Sequence, residues 1–194
     1  VQVTSLPLAE FRKILLANAD LRELEKRLSA MTVELGVDQI WVMNAAGDSI
    51  ASGGFPVDAS ATGVNYVDRE YFQMAKSGRI GRQSAVGRTT GVMGVFYSAA
   101  VFDGGRFLGV VTVKVETTRL AHMVANKNAF ITDENGVVII AGDPTYYMKV
   151  LPDGKVSRLS SEEKESRYRR REFKKISIAP ADFGSTPLIH LAGS

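Results

Sequence analysis

Cysteine is absent from the 194 residues. That excludes disulfides, thiolate chemistry and cysteine-based zinc sites. Histidine is nearly absent too, since only His122 and His190 occur. A histidine-rich metal centre or a compact Ser-His-Asp constellation has little to draw on. His122 reads as a surface or packing residue on a short helix, and His190 sits in a terminal strand. No run reaches the ~18 apolar residues of a membrane-spanning helix. The longest uncharged stretch, Thr89 to Phe102, has 14 residues and is broken by glycine. The opening Val1-Gln2-Val3-Thr4-Ser5 lacks the basic and apolar regions of a signal peptide.

What is present is globular composition. Hydrophobic residues make up 45% and charged residues 23%. The length suits one large domain or two small ones. The net charge is +3, unevenly placed. Lys164 to Lys175, KESRYRRREFKK, carries seven basic and two acidic residues, or +5, which leaves −2 on the rest. That segment, with Tyr168 and Phe173 among its arginines, raises nucleic-acid binding as a rival reading. The slightly acidic remainder argues for a solvated helix instead, or a surface facing anionic lipid.

The periodicity predicts a helix over residues 9–35. Leu21, Leu24, Leu28, Met31 and Leu35 share one face, and Gly36 is a plausible stop. That face either packs on the chain's own sheet or forms a dimer seam, because the spacing also fits two heptads. Strand, turn and strand follow over Ile40 to Ala51, and residues 52–65 read as loop. Tyr66 to Lys76 reads as a short helix closed by Gly78. Residues 80–88 form a strand and its loop. Val92–Phe102 and Phe107–Val115 form a hairpin around Asp103-Gly104-Gly105. Thr117 or Thr118 caps a helix running to Val124. Thr186 to Ala192 reads as one more strand.

One segment repeats another. Ala129 to Gly142 (AFITDENGVVIIAG) lines up with Ile40 to Gly53 (IWVMNAAGDSIASG), both 14 residues long and offset by 89. Any β-hairpin has something of this pattern; a duplicated module is the other reading.

Catalytic motifs fail. Gly81 to Thr89 has five residues between its glycines, and arginine where a P-loop needs lysine. There is no G-x-S-x-G, H-E-x-x-H or calcium loop. What remains is a group of cationic and hydroxyl side chains: Arg69 and Tyr71 on the short helix, Arg82, Ser84, Arg88, Thr89 and Thr90 after it, and Tyr97 and Lys114 on the long strands. Lys114 interrupts the apolar run Val110 to Val115. Alternation places it on one face with Thr112 and Val110. A lysine there must face solvent or find an anion. Fixed cations with hydroxyl donors suit a carboxylate. No general base or nucleophile accompanies them, so binding without turnover is the simpler expectation.

These residues also carry a family pattern. The order Asn18-x-Asp20-Leu21, Gly36-Val-Asp-Gln-Ile-Trp-Val-Met-Asn44-x-x-Gly47, Tyr66-x-x-Arg69-Glu-Tyr71-Phe72-x-x-Ala75, Gly78-Arg-Ile-Gly81-Arg82, Gly87-Arg-Thr-Thr90-Gly91, Val95-Phe-Tyr97-Ser-Ala and Gly109-Val-Val-x-Val-Lys114-Val resembles the double Cache (PDC, tandem PAS-like) extracytoplasmic sensor domains. It is similar above all to those of bacterial sensor histidine kinases of the four-carbon dicarboxylate type. The resemblance covers roughly residues 15–145.

It implies an α+β fold with a long N-terminal helix (1–36) and two PAS-like modules built on antiparallel sheets. The membrane-distal module (37–127) holds the ligand; the membrane-proximal one (128–194) is abbreviated. It implies a periplasmic domain of an inner-membrane receptor, a homodimer through the N-terminal helix, and a small carboxylate or amino-acid ligand, with no cofactor or metal. The ligand contacts would be Arg69, Tyr71, Arg88, Thr90, Tyr97 and Lys114, with Tyr97 and Lys114 on the pocket floor. The same sensor also suits a chemoreceptor or diguanylate cyclase, and a cytoplasmic PAS-type enzyme or cofactor binder is a further rival. Two departures stand out. Glu70 replaces a frequent proline, and the loop Arg88 to Met93 is more apolar and cationic than usual.

Overall fold

The computed structural model describes residues 21–54, 56 and 59–177. The expected helical stretch before Leu21, the strand at Thr186 to Ala192 and His190 lie outside the described residues.

Helix α1 spans Leu21–Leu35. From Leu24 on, its leucine stripe is used inside the chain, while Leu21 is exposed. Leu24 and Leu28 are buried, and Met31 and Leu35 pack beside them, against Ile40, Val42, Val111 and Val113 of the sheet. Of the two readings of that stripe, packing on the chain's own sheet is the one observed. Gly53 is why the helix comes so close. A Cβ there would lie 2.4 Å from the backbone nitrogen of Ser29.

The sheet has five antiparallel strands: β1 (Gln39–Asn44), β2 (Ser49–Gly53), β3 (Gly81–Val86), β4 (Met93–Asp103) and β5 (Arg106–Glu116). Their order is β2-β1-β5-β4-β3. The β4–β5 turn matches its sequence. Gly104 and Gly105 have φ of 53° and 88°, as a two-residue hairpin of this twist requires. Period-2 alternation divides the sheet cleanly. One face meets α1. The other, carrying Trp41, Met43, Phe96 and Val110, meets helix α2 (Glu70–Lys76) through Tyr71, Phe72 and Ala75.

Helix α2 is shorter than the sequence suggested. It begins after Arg69, and Tyr66 to Asp68 form a turn that leads into it. The helix after β5 is also shorter. Helix α3 is Thr117–Leu120, followed by a 3₁₀ turn at Ala121–Met123. Thr117 does not cap it: Glu116 holds the cap position, and the Thr117 hydroxyl donates to the carbonyl of Met93 instead.

A second, smaller unit begins with strands β6 (Phe130–Thr132) and β7 (Val138–Ala141). Val150 and Lys175 extend it by isolated bridges, and helix α4 (Ser161–Tyr168) closes it. The β6–β7 hairpin reproduces the β1–β2 hairpin in detail. Asn44 Oδ1 accepts from the backbone of Ala46 and Asp48; Asp133 Oδ1 accepts from that of Asn135 and Val137. The register slips between Val42 and Met43 in one and between Ile131 and Thr132 in the other, the same offset of 89. Gly47 and Gly136 both take positive φ.

The basic segment is not simply a solvated helix. Arg167 and Tyr168 are buried, and Arg167 Nε donates to the carbonyl of Ser84 in β3 at 2.9 Å. The same guanidinium pairs with Glu70 and Glu134. Ser166 donates to Asp68, and Arg169 to the carbonyl of Arg88.

Candidate ligand-binding site

The face of the sheet under α2 is lined with aromatic rings. Trp41 sits at ring-centroid distances of 5.7 Å from Tyr66, 6.1 Å from Tyr71 and 5.9 Å from Phe96. Tyr71 stacks on Phe96 at 5.2 Å with planes 10° apart. Helix α2 is seated by small residues. The Ser98 hydroxyl donates to the carbonyl of Tyr71, and a Cβ on Gly81 would strike that carbonyl. These contacts fix where residues 69–71 point.

Arg69 is 3% exposed. Its Nη2 donates to the carbonyl of Val86 at 3.1 Å, while Nε and Nη1 have no partner. Burial pulls its pKa down, opposed by the neighbouring Tyr71. The Tyr71 hydroxyl, fully buried, is also without a partner, and burial pushes its pKa far up. Thr112 Oγ1 and Gln83 Oε1 are buried and unpartnered as well. Their strand positions place both on the same sheet face. Thr112 stands opposite Trp41 and Ser98, and Gln83 stands opposite Phe96. Native proteins leave few buried polar atoms unpaired. Four residues with such atoms, one of them a guanidinium, gather between this face and α2 and make it the candidate place for a polar guest.

Lys114 rises from the same face, opposite Phe96. It is 1% exposed, so the solvated reading of this lysine fails. Its Nζ donates to Glu116 Oε1 and to Thr90 Oγ1, each at 2.9 Å. Burial lowers its pKa, and Glu116 pulls it back up. Two glycines make room for it. A Cβ on Gly94 would lie 2.5 Å from Lys114 Cε, and one on Gly87 would lie 2.4 Å from Thr90 Oγ1. Arg88 stands at the rim, over the Tyr66 ring at 5.3 Å and bonded to both carboxylate oxygens of Asp68.

Five of the six expected contacts therefore gather here: Arg69, Tyr71, Arg88, Thr90 and Lys114. Tyr97 does not. It pairs across the sheet with Val113 and Arg82, on the face that meets α1, and is 41% exposed. Alternation decides this: Phe96 and Ser98 point under α2, so Tyr97 points away. Arg82 and Ser84 fall on the Tyr97 face by the same rule.

No protein-family model matches the chain. The C4-dicarboxylate transport sensor protein DctB of Rhizobium meliloti is 25% identical over 135 residues, 68% of this chain and 22% of its own length. Its namesake in Pseudomonas aeruginosa is 27% identical over 128 residues, 65% of this chain and 20% of its own. The chain thus spans about a fifth of these curated relatives. The sensor domain of the V. cholerae histidine kinase DctB superposes with a TM-score of 0.75 at 22% identity, over 86% of this chain and 67% of that one. The chain has the fold of a DctB sensor domain.

That DctB-like fold is shared more distantly. The ligand-binding domain of the Pseudomonas aeruginosa amino acid chemoreceptor PctC, solved with GABA, matches with a TM-score of 0.55 at 16% identity, over 73% of this chain and 67% of that one. The Mlp24 ligand-binding domain, solved with asparagine, matches with a TM-score of 0.58 at 17% identity, over 76% and 64%. Within this fold, Trp41, Tyr66, Gln83, Phe96, Thr112 and Glu116 line the site although they were not among the expected contacts. Thr112 was within reach of sequence reasoning, since it shares a face with Lys114. Glu116 shares that face by the same parity, whereas Gln83 required the strand register.

Proposed function

We propose that this chain is the extracytoplasmic ligand-sensing domain of a transmembrane receptor, in the first place a two-component histidine kinase. In this reading residues 37–127 bind a small organic carboxylate between the sheet and α2. Arg69, Tyr71, Arg88, Thr90 and Lys114 form the site, with Thr112 and Gln83 beside them. The single observation that carries this is Arg69, a buried guanidinium with two nitrogens that have no partner. An unpaired buried cation is expensive, and a carboxylate matches its fork. The DctB relatives add weight to the kinase assignment. Likeness to chemoreceptor ligand-binding domains favours a chemoreceptor as the second reading.

Residues 128–194 serve as the second module in this reading, and the receptor is anchored in the inner membrane. Signal leaves through α1, which packs on β1 and β2. A ligand shifts the arrangement of the domain only through its different affinity for two states. A homodimer through this helix uses its outward face, where Val33 is exposed, because Leu24 and Leu28 are already covered.

The test is a thermal-shift screen against small monocarboxylates, dicarboxylates and amino acids, with Arg69→Met in parallel. A ligand at 100 times its Kd raises stability by ~2.7 kcal/mol. The expected result is at least one carboxylate that shifts the wild-type midpoint and not that of the variant. No shift across the panel would overturn the reading.

A further inference from the structure

Three cations surround the site, and two of them already have carboxylate partners. Arg88 is bonded to Asp68 through both oxygens, at 2.9 and 2.7 Å. Lys114 is bonded to Glu116 at 2.9 Å. Of the three, Arg69 alone has buried nitrogens without a hydrogen-bond partner.

The Lys114–Glu116 pair is built in. The two residues lie two apart on β5 and so share a sheet face. Glu116 stands opposite Gly94, whose missing side chain leaves space for the lysine stem. Thr90 holds the ammonium from the other side at 2.9 Å, beside Gly87. Gln39 Nε2 also reaches the Glu116 carboxylate, at 3.5 Å. Glu116 is only about one-fifth exposed (21%), and Lys114 is 1% exposed.

The charges Arg69, Arg88 and Lys114 against Asp68 and Glu116 sum to +1. One carboxylate on Arg69 brings that to zero. A short diacid brings it to −1, and its second carboxylate competes with Glu116 for Lys114. Burying an uncompensated charge is costly, whereas a neutral polar end incurs no such penalty.

We infer that Glu116 is a specificity-determining residue, an internal carboxylate that occupies Lys114 and sets the site to bind small monocarboxylates with a neutral polar end in preference to dicarboxylates. The inference rests on the carboxylate-site reading above.

The matched probes are succinate and its mono-amide, succinamate, which differ in one carboxylate. Each is titrated calorimetrically at neutral pH into wild type, Glu116→Gln and the double variant Lys114→Met/Glu116→Gln. Wild type binds succinamate more tightly by at least about tenfold, the scale of one misplaced buried charge. Glu116→Gln frees Lys114 and reverses the order in favour of succinate. The double variant, with Arg69 again the one free cation of the site, prefers succinamate as wild type does. It also guards against misfolding, because removing both charges leaves no unpaired lysine. Tighter succinate binding by wild type, or an order unchanged by Glu116→Gln, overturns the inference and leaves the carboxylate site standing. Binding of neither probe to any of the proteins overturns this inference and leaves the carboxylate-site reading to the wider panel.

Discussion

The two units of the chain treat buried polar groups in opposite ways. In the second unit the buried polar side chains satisfy one another. The Tyr168 hydroxyl donates to Asp133 Oδ2 and accepts from Asn135 at 2.8 Å. Asp133 also takes two backbone N–H groups, and Arg167 holds Ser84, Glu70 and Glu134. In the first unit, Arg69, Tyr71, Gln83, Thr112 and Ser49 each retain a buried polar atom without a partner. The units begin from the same hairpin, so the difference lies in what is built around it. A satisfied network rigidifies a core. An unsatisfied one stores interaction energy that a ligand can release.

The largest expected effect comes from breaking the link between the units. Arg167→Met leaves the Ser84 carbonyl, Glu70 and Glu134 without their common partner. The two glutamates are half exposed, so the loss sits below the full value for a buried pair, at about 2 kcal/mol in urea unfolding. An unchanged unfolding midpoint would mean that α4 rests on the first unit without holding it.

A matched pair of tyrosines tests the contrast itself. Tyr168→Phe removes a hydroxyl that serves two partners and should cost about 1–2 kcal/mol. Tyr71→Phe removes an orphan hydroxyl and should cost close to nothing in the ligand-free protein. Its cost appears on binding, where the affinity for the best carboxylate found should fall about tenfold, one hydrogen bond's worth. Equal stability losses in the two variants would erase the distinction between the units.

The smallest effect is a pH dependence. Burial raises the pKa of Asp133, and the bond from Tyr168 opposes that only in part. The folded state therefore binds a proton at a pH where the unfolded carboxyl, near ~3.9, has released it. Stability then falls as pH rises from the ordinary carboxylate value through the raised one, and is flat above. Asp133→Asn should remove that slope from the difference between the two melting curves. A parallel pair of curves over that window would count against a raised value.

Much of this was legible in the sequence. Hydrophobic alternation and turn glycines gave the strands to within a residue or two. The repeat at Ala129 to Gly142 anticipated a hairpin that the structure reproduces down to its register slip. Lys114 announced itself because a cation inside Val110 to Val115 breaks the pattern of a buried strand. Arg69 did not, because on a short helix it reads as a surface charge. Only the seating of α2 on Gly81 and Ser98 turns it inward. Tyr97 was misplaced because residue type spoke louder than the parity of its strand.

Local chemistry thus determined the elements: which segments are strands, where the chain turns and which residue types are at hand for an anion. Those depend on neighbours a few positions away, and the sequence displays them directly. The tertiary structure decided the pairings, because they join residues far apart in the chain. It gave Arg167 its place between Ser84, Glu70 and Glu134, bound Arg88 to Asp68, and left Arg69 with open valences. Even Lys114 and Glu116, two residues apart, became a buried pair only when Gly94, Gly87 and Thr90 closed around them. Burial sets the energetic value of a charge, and burial is a property of the assembled fold.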